Sequence, residues 1–300
     1  MKVAIAGSSG LIGSGLVPAL RSEGHEVLRL VRRAAQARDE VRWDPVRGEL
    51  DPSDLEGVEA FINLGGAGIG DSRWTPERRK LVLDSRVVPT RLLAETAAKL
   101  EPRPKAFLGG SAVGFYGYDS GDAERTEADP HGQGFLSDVT VAWELATGAA
   151  EQAGIRTVLL RTGIVQSTAG GALAKQLVPF KLGLGGRLGS GRQYLPWISL
   201  ADEVGAILFC LADERMSGPV NLCAPEPVTN AEFTRTLGRV LHRPTLVPIP
   251  TPALKAMLGE DAMREMLLGG TRARPARLEE AGFRWRHPTL EVALRDILGK

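Results

Sequence analysis

Three glycines at a spacing of three residues follow the first apolar segment of the chain. The segment 1–6 is apolar, Gly7, Gly10 and Gly13 come next, and a helix-like stretch at 14–22 follows. This order predicts a strand, a tight turn and a helix, which is the context in which a glycine motif binds a dinucleotide. The first glycine makes the turn, the second admits the pyrophosphate, and the third lets the helix pack on the strand. The helix N-terminus offers free N–H groups to the phosphates. We predict a dinucleotide site formed by Gly7, Ser8, Ser9, Gly10, Leu11, Ile12 and Gly13. The alternative is a glycine-rich turn without a ligand.

Two arginines, Arg32 and Arg33, end the second apolar segment at 26–31. In a doubly wound fold this position lies beside the adenosine ribose, where an acidic residue would bind the ribose hydroxyls and repel a 2′-phosphate. A guanidinium has the opposite effect, because it pairs bidentately with phosphate. The hydroxyls of Ser8 and Ser9 can add hydrogen bonds to the same group. We therefore predict NADP(H) as the cofactor, with a solvated basic loop as the alternative interpretation.

A glycine-rich segment, 65–70, follows the apolar segment at 58–64, and Gly110 and Gly163 lie at or just after the ends of the apolar segments at 105–110 and 155–160. The carboxyl ends of parallel strands line the ligand crevice of a doubly wound sheet. Glycines at these ends let the backbone approach a cofactor closely. We accordingly predict cofactor contacts at Leu64, Gly65, Gly66, Ala67, Gly110, Arg161 and Gly163.

Strand-like and helix-like segments alternate through the first half of the chain. We predict strands at 1–6, 26–31, 41–43, 58–64, 105–110 and 155–160, and helices at 14–22, 75–99 and 139–152. This alternation implies right-handed crossovers and a parallel sheet. The predicted fold class is therefore α/β, a Rossmann-type doubly wound parallel sheet with a smaller mixed C-terminal substrate lobe.

Three local features of these segments lead to further expectations. Thr75 is placed to cap the second helix and Pro89 to kink or break it. The basic run 78–80 is typical of a solvated helix face. The polar segment 117–130 is typical of a flexible loop at the rim of a site.

The composition changes near residue 166. Glycines are frequent at 170–171 and 183–191, and Arg187 and Arg192 lie in or beside the second of these segments. Arginines on such a segment can bind a phosphate or carboxylate of a substrate, although a mobile surface loop is an equal alternative. We also include Trp197 among the substrate candidates. We predict a cofactor domain at 1–165 and a substrate lobe at 166–300, with one strand or helix returning to the first domain. Helices are predicted in the lobe at 201–212, 230–241, 253–268 and 290–298.

Composition excludes several classes of function. The 300 residues carry a net charge of +1, which gives no general attraction to nucleic acid or to anionic membranes. No apolar run approaches the ~20 residues of a membrane-spanning helix, and we expect no signal peptide. The only cysteines, Cys210 and Cys223, suggest a reducing cytoplasm rather than a disulfide framework. The four histidines are scattered, so we expect no metal site. We expect a small-molecule substrate and a monomer or homodimer.

With these residues in view, the chain resembles the extended short-chain dehydrogenase/reductase family from end to end. The matching segments are 7–13, 63–67, 111–117, 160–165 and 197–204. It looks most like the atypical NAD-dependent epimerase/dehydratase-like branch of epimerase family proteins, whose signatures match 73–75, 111–117, 143–144, 183–193 and 221–230. The resemblance implies a Rossmann domain that binds NADP(H) and a C-terminal lobe that closes over a small substrate.

One departure from the family pattern bears on function. Extended members carry Tyr-x-x-x-Lys on the helix after the fifth strand, whereas Val139 and Trp143 occupy the corresponding positions here. Ser111 matches the family's strand-five serine and is our first catalytic candidate. Tyr116 is the second, either as an acid or as an aromatic residue that packs under its loop. Glu144 is either a displaced base or, as we prefer, a helix residue that anchors the glycine-rich loop.

Two further positions differ from the family. Arg86 replaces the usual asparagine and places a fixed positive charge near the nicotinamide side, so we include it among the cofactor contacts. Ser199 stands where the branch often has histidine, so no histidine within that segment can transfer a proton.

These observations support two hypotheses. The first is an NADP(H)-dependent oxidoreductase or epimerase with a non-standard acid/base group, acting on a small, anionic or nucleotide-sugar substrate. The second is a non-catalytic NADP(H)-binding protein that senses redox state for a partner. Loss of the tyrosine–lysine pair favours the second, whereas the retained Ser111 and the whole substrate lobe favour the first.

Overall fold

Seven parallel strands form the central sheet of the protein, seen here in a computed structural model. The structure describes the backbone of residues 1–300 and every side chain except those of residues 253, 254 and 257. Including those outside this sheet, the strands of the structure are β1 (Lys2–Ala6), β2 (Glu26–Val31), β3 (Glu40–Arg42), β4 (Ala60–Asn63), β5 (Ala106–Ala112), β6 (Asp119–Arg125), β7 (Arg156–Thr162), β8 (Ile164–Gln166), β9 (Tyr194–Leu195), β10 (Trp197–Ser199), β11 (Gly218–Leu222), β12 (Val228–Thr229) and β13 (Gly270–Ala273).

The helices cover both faces of this sheet and form the second lobe. They are α1 (Leu11–Ser22), α2 (Pro76–Ala97), α3 (Phe135–Leu145), α4 (Gly148–Gln152), α5 (Gly171–Lys181), α6 (Leu200–Ala212), α7 (Asn230–Leu241), α8 (Thr251–Leu258), α9 (Glu260–Met263), α10 (Ala276–Ala281) and α11 (Leu290–Leu298). Short 3-10 turns lie at Pro52–Leu55 and Val113–Tyr116, and a π turn lies at Arg264–Leu268.

The order of the main sheet is β11-β7-β5-β4-β1-β2-β3, and all of its pairs are parallel. This is the doubly wound order with its switch point between β1 and β4. The predicted fold class is therefore confirmed. The edge strand β11, which pairs with β7, comes from the second half of the chain. The sequence analysis allows for such a strand that returns to the first domain. The domain boundary at 165/166 stays a prediction.

Apolar side chains pack on both faces of the sheet. On one face β1, β4, β5 and β7 pack against α1 and α6, with Ile5, Leu16 and Ile207 fully buried. On the other face Phe61, Phe107 and Leu93 belong to a second cluster. A third cluster joins α5, α7 and α11 in the C-terminal lobe. The two sheet clusters hold the carboxyl ends of β1, β4, β5 and β7 in one row.

The structure differs from the sequence predictions at several elements, and the helix predicted at 253–268 is divided into α8, α9 and the π turn. The polar segment 117–130 contains β6, which pairs in parallel with β13, whereas we predicted a flexible loop. Helix α2 continues through Pro89 without a break. The predicted helix at 139–152 begins earlier, at Phe135, and is divided into α3 and α4. The predicted cap of α2 is confirmed, because the Arg78 amide donates to Thr75 Oγ1 at 3.2 Å.

Candidate functional site

The glycine turn between β1 and α1 is built around close backbone contacts. Gly7 has φ +83°, and a Cβ at this position would lie 2.8 Å from the carbonyl carbon of Leu64. At Gly13 a Cβ would lie 2.3 Å from the Gly7 oxygen, so only glycine lets α1 approach the turn. Gly10 is the N-cap of α1, and no described side chain caps the first turn of this helix. Its N–H groups are therefore free to bind a phosphate.

The two arginines after β2 have different partners. Arg33 donates both of its terminal nitrogens to Glu40, at 2.7 and 2.8 Å, and this pair lowers the pKa of Glu40 to about 2. Arg32 is exposed and bonds to no side chain that the structure describes. Since an occupied guanidinium binds a second anion less readily, Arg32 is the better placed of the two for a 2′-phosphate.

The loop after β4 is fastened by the last residue of that strand and by helix α2. The Gly65 amide donates to Asn63 Oδ1 at 3.1 Å, and the Ala67 amide donates to Ser85 Oγ at 3.0 Å. The Ala67 carbonyl accepts from Arg86 Nη1 at 3.0 Å. Leu64 lies directly against Gly7, so this loop and the glycine turn form one continuous edge.

Ser111 lies at the carboxyl end of β5 and belongs to a buried polar chain. Its hydroxyl donates to Glu144 Oε1 at 2.5 Å. Glu144 in turn forms a two-pronged ion pair with Arg161, with nitrogen–oxygen distances of 2.8 and 3.0 Å. The side chains of Arg161 and Glu144 are only 4% and 10% exposed. Glu144 therefore anchors Ser111 and Arg161 together rather than the glycine loop.

The same series of hydrogen-bonded side chains continues through Tyr116 to the edge of the sheet. Arg161 Nη1 donates to the Tyr116 hydroxyl at 3.0 Å, and that hydroxyl donates to Asn221 Oδ1 at 2.7 Å. The backbone N–H of Asn221 donates to Glu127 Oε1 at 2.9 Å. Burial raises the pKa of Tyr116 to about 12 and also raises the pKa of Glu127. The Tyr116 hydroxyl thus already donates its hydrogen bond to another residue of the protein.

Helix α3 presents neither a tyrosine nor a lysine to the site. Val139 and Trp143, at the positions noted in the sequence, are both buried. The indole N–H of Trp143 donates to Thr90 Oγ1 at 2.9 Å, and its ring covers Gly110, where a Cβ would lie 2.6 Å from Trp143. Only glycine at position 110 therefore leaves room for the Trp143 ring.

The turn after β7 joins the two lobes. A Cβ at Gly163 would lie 2.4 Å from the Pro196 oxygen, and the Ile164 amide donates to the same oxygen at 2.7 Å. Thr162 donates its hydroxyl to Glu203 Oε1 at 2.8 Å. Glu203 is fully buried, its Oε2 has no hydrogen-bond partner among the described atoms, and burial raises its pKa to about 8. At neutral pH this carboxyl is mostly protonated.

The predicted substrate residues of the second lobe are not brought together. Arg192 borders a cavity of about 280 Å³ that Asp119 and Asp122 also line. Arg187 is exposed and donates to the Ser190 oxygen at 3.3 Å. Trp197 is 1% exposed, and its indole N–H donates to the Glu226 oxygen at 3.1 Å, so it packs in the lobe core.

A serine, a histidine and two carboxylates meet where α6 begins. His287 Nδ1 lies 2.8 Å from Ser199 Oγ, and His287 Nε2 lies 3.0 Å from Asp296 Oδ2. The Ser199 hydroxyl also donates to Asp202 at 2.8 Å, and Ser199 and His287 are each 1% exposed. This group joins α6 to α11 and is closed to a substrate. A histidine thus reaches Ser199 from 88 residues along the chain.

Sequence reasoning missed several of these residues because their partners are distant. Asn221 lies 105 residues from Tyr116, and Glu127 lies 94 residues from Asn221. A buried glutamate in an apolar helix, Glu203, was the one local pattern that could have been noticed. No group of metal ligands occurs among the described residues, and none of the helices in that part of the chain combines the length and apolarity that crossing a membrane requires.

Two family models match the chain. The model described as NAD dependent epimerase/dehydratase family matches residues 3–223. A domain of unknown function, DUF1731, matches residues 249–297.

Individual relatives cover nearly the whole chain. Epimerase family protein Mb2239 of Mycobacterium bovis is 50% identical over 292 residues, which is 97% of this chain and 96% of the relative. Human epimerase family protein SDR39U1 is 36% identical over 301 residues, covering 99% of this chain and all of the relative. A crystal structure of that human protein, isoform 2, with NADPH has a TM-score of 0.91 at 34% identity and covers both chains completely. The structure of MoeE5 with UDP-glucuronic acid and NAD has a TM-score of 0.75 at 20% identity, with 98% of this chain and 96% of the other covered, and supports the fold alone.

Proposed function

We propose that this chain, which belongs to the NAD dependent epimerase/dehydratase family, is an NADP(H)-dependent oxidoreductase or epimerase whose proton-transfer group is the Ser111–Glu144 pair. The observation that carries the proposal is the 2.5 Å hydrogen bond between these side chains at the carboxyl end of β5. It provides a route for a proton at the crevice although the tyrosine and lysine are absent.

The residues at the crevice fit a dinucleotide. Gly7 and Gly13 leave no room for a Cβ, and the uncapped N-terminus of α1 offers its amides to a pyrophosphate. Arg32 would bind the 2′-phosphate, and the loop Leu64–Ala67 would border the nicotinamide half. The NADPH in the structure of the human relative supports this choice of cofactor. When bound, the nicotinamide donates or accepts the hydride.

Ser111 would receive the proton of a substrate hydroxyl and pass its own proton to Glu144. Because the Ser111 hydroxyl donates to a carboxylate, its lone pairs are available to accept a hydrogen bond from the substrate. During oxidation of an alcohol, the substrate proton moves to Ser111 Oγ as the serine proton moves to Glu144. During reduction the same protons move in reverse. Arg161 and Tyr116 would act as positioning residues, since Arg161 binds Glu144 and the Tyr116 hydroxyl binds Arg161.

A non-catalytic redox sensor is the second candidate. Burial of Val139 and Trp143, where a tyrosine and a lysine act in the wider family, favours it. Transfer of hydride from NADPH to any carbonyl substrate distinguishes the enzyme from the sensor.

The cofactor half of the proposal can be tested at Arg32. We expect NADPH to bind about 10–100-fold more tightly than NADH, since a charge-assisted contact to phosphate contributes about 1.5–3 kcal/mol. Arg32→Ala should remove this difference by weakening NADPH alone, as measured by fluorescence titration at fixed ionic strength. Arg47→Ala, at a side chain that is 71% exposed beyond β3, is the matched control and should change neither affinity. Equal affinity of the wild-type protein for both dinucleotides would contradict the assignment.

A further inference from the structure

Two arginines of α2 lie against the loop that follows β4. Arg86 Nη1 donates to the Ala67 and Val82 carbonyls at 3.0 Å each. Arg78 donates to the carbonyl of Gly68, the residue after Ala67. The two guanidiniums therefore approach neighbouring carbonyls of one loop, although the basic run at 78–80 suggested a solvated face. Of that run, Lys80 alone is strongly exposed, at 75%, while Arg78 is 17% exposed.

The carboxylates near Arg78 and Arg86 do not balance the positive charge of these two side chains. Arg86 forms no ion pair with any described carboxylate. Arg78 has only Asp71 within reach, at 3.7 Å, and Asp71 is 60% exposed and shared with Lys175 at 3.5 Å. The adjacent basic residues do have their own partners, because Arg79 pairs with Asp261 and Lys80 with Asp84. The loop thus faces an excess of positive charge to which Arg78, Arg86 and Lys175 contribute.

Several donors of the two arginines are also unused. Arg86 Nε and Nη2 have no acceptor among the described residues, and Arg78 Nε is buried without a partner. Burial, together with the charge of Arg78, lowers the pKa of Arg86 to about 10. Holding two like charges close together with only the exposed Asp71 as a counter-ion destabilises the fold. An anion that accepts these hydrogen bonds would remove both costs.

The position of Arg86 relates this charge to the reacting groups. Its guanidinium lies over the Trp143 ring, with 5.1 Å between Cζ and the ring centroid. Trp143 directly precedes Glu144, the acceptor of the Ser111 hydroxyl. The Trp143 ring also covers Gly110, the residue before Ser111, so one side chain links Arg86 to this end of β5.

We propose that Arg78 and Arg86 form an oxyanion subsite that binds a carboxylate or phosphate group of the substrate. The inference rests on the proposed function, and it specifies the substrate class as a small hydroxy or oxo compound that carries such a group. Guanidiniums suit this ligand because their N–H groups match the spacing of carboxylate and phosphate oxygens.

The subsite is tested by titrating inorganic phosphate into the NADPH-saturated protein in a calorimeter. We expect saturable binding to the wild-type protein, weakened about tenfold or more in Arg86→Met and in Arg78→Met, with NADPH affinity unchanged in Arg78→Met. Lys80→Met, on the same helix, is the matched control and should bind phosphate like the wild type. Arg86→Lys retains the charge and should bind phosphate more tightly than Arg86→Met. Melting temperatures of all variants establish that they are folded.

Two outcomes would overturn the proposal. One is the absence of saturable phosphate binding to the wild-type protein. The other is a tenfold loss of NADPH affinity in Arg86→Met with phosphate binding unchanged, which would assign the guanidinium to the cofactor. Because the titration needs no turnover, a protein that binds phosphate but transfers no hydride would refute the proposed reaction and not the subsite.

Discussion

Replacing Ser111 by alanine is expected to lower kcat by about 10²–10⁴-fold, the usual contribution of a positioned proton-transfer group. The side chain is 4% exposed, and the hydroxyl lost is the one that donates to Glu144 at 2.5 Å. The Glu144–Arg161 ion pair does not depend on this hydroxyl, so the fold and the NADPH affinity should be preserved. The measurement is single-turnover hydride transfer at saturating cofactor, together with the melting temperature.

The matched control for this variant is Ser137→Ala. Ser137 is also a buried serine, but its hydroxyl donates to the Phe115 and Gly132 carbonyls instead of a carboxylate. Its loss should reduce stability by about 1 kcal/mol and leave the rate of hydride transfer nearly unchanged. Equal rates in Ser111→Ala and the wild type would eliminate the proposed proton route.

Replacing Glu203 by glutamine is expected to remove a large pH-dependent loss of stability. The pKa of this carboxyl is about 8 in the folded protein and 4.5 in an unperturbed glutamate, so the folded state binds the extra proton between these values. Stability contributed by the protonated group is therefore complete below about pH 4.5 and lost as the pH rises through 8. The shift corresponds to a loss of about 3–5 kcal/mol.

The measurement is urea unfolding of both proteins from pH 4.5 to pH 9. The free energy of unfolding of Glu203→Gln relative to the wild type should increase with pH by the amount just given, because glutamine has no proton to lose. Glu226→Gln, an exchange outside the buried core, is the control and should follow the wild-type curve. Parallel curves for Glu203→Gln and the wild type would show that the carboxyl does not titrate in this range.

The elements that the sequence predicted are those in which local signals, such as capping residues and apolar runs, agree with the burial of the residues in the fold. Helix α7 lies at the predicted residues because Thr229 and Glu232 form a capping box at its start and His242 takes a left-handed conformation at its end. The strands β1, β2 and β4 are mostly apolar and lie inside the sheet, as parallel strands should. The glycine turn was predictable because its backbone contacts allow no Cβ at Gly13.

Pairings between distant segments could not be predicted in the same way. Strand β6 consists mainly of polar and charged residues, and its partner β13 is about 150 residues away, so neither segment has an apolar alternation. Arg78 belongs to a basic run that looks solvated, and its burial depends on the path of the loop at 67–70. The role of Glu144 depended on Arg161, which comes from β7 and shares no local motif with α3.

The most direct test of the central claim is hydride transfer itself. NADPH carrying deuterium at nicotinamide C4 would be incubated with the wild-type protein and a panel of carbonyl compounds with and without a carboxylate or phosphate group. We predict deuterium at the carbinol carbon of a product and formation of an equal amount of NADP⁺, with anionic members of the panel preferred. Tight NADPH binding without transfer to any member would contradict the enzymatic account and favour the redox sensor.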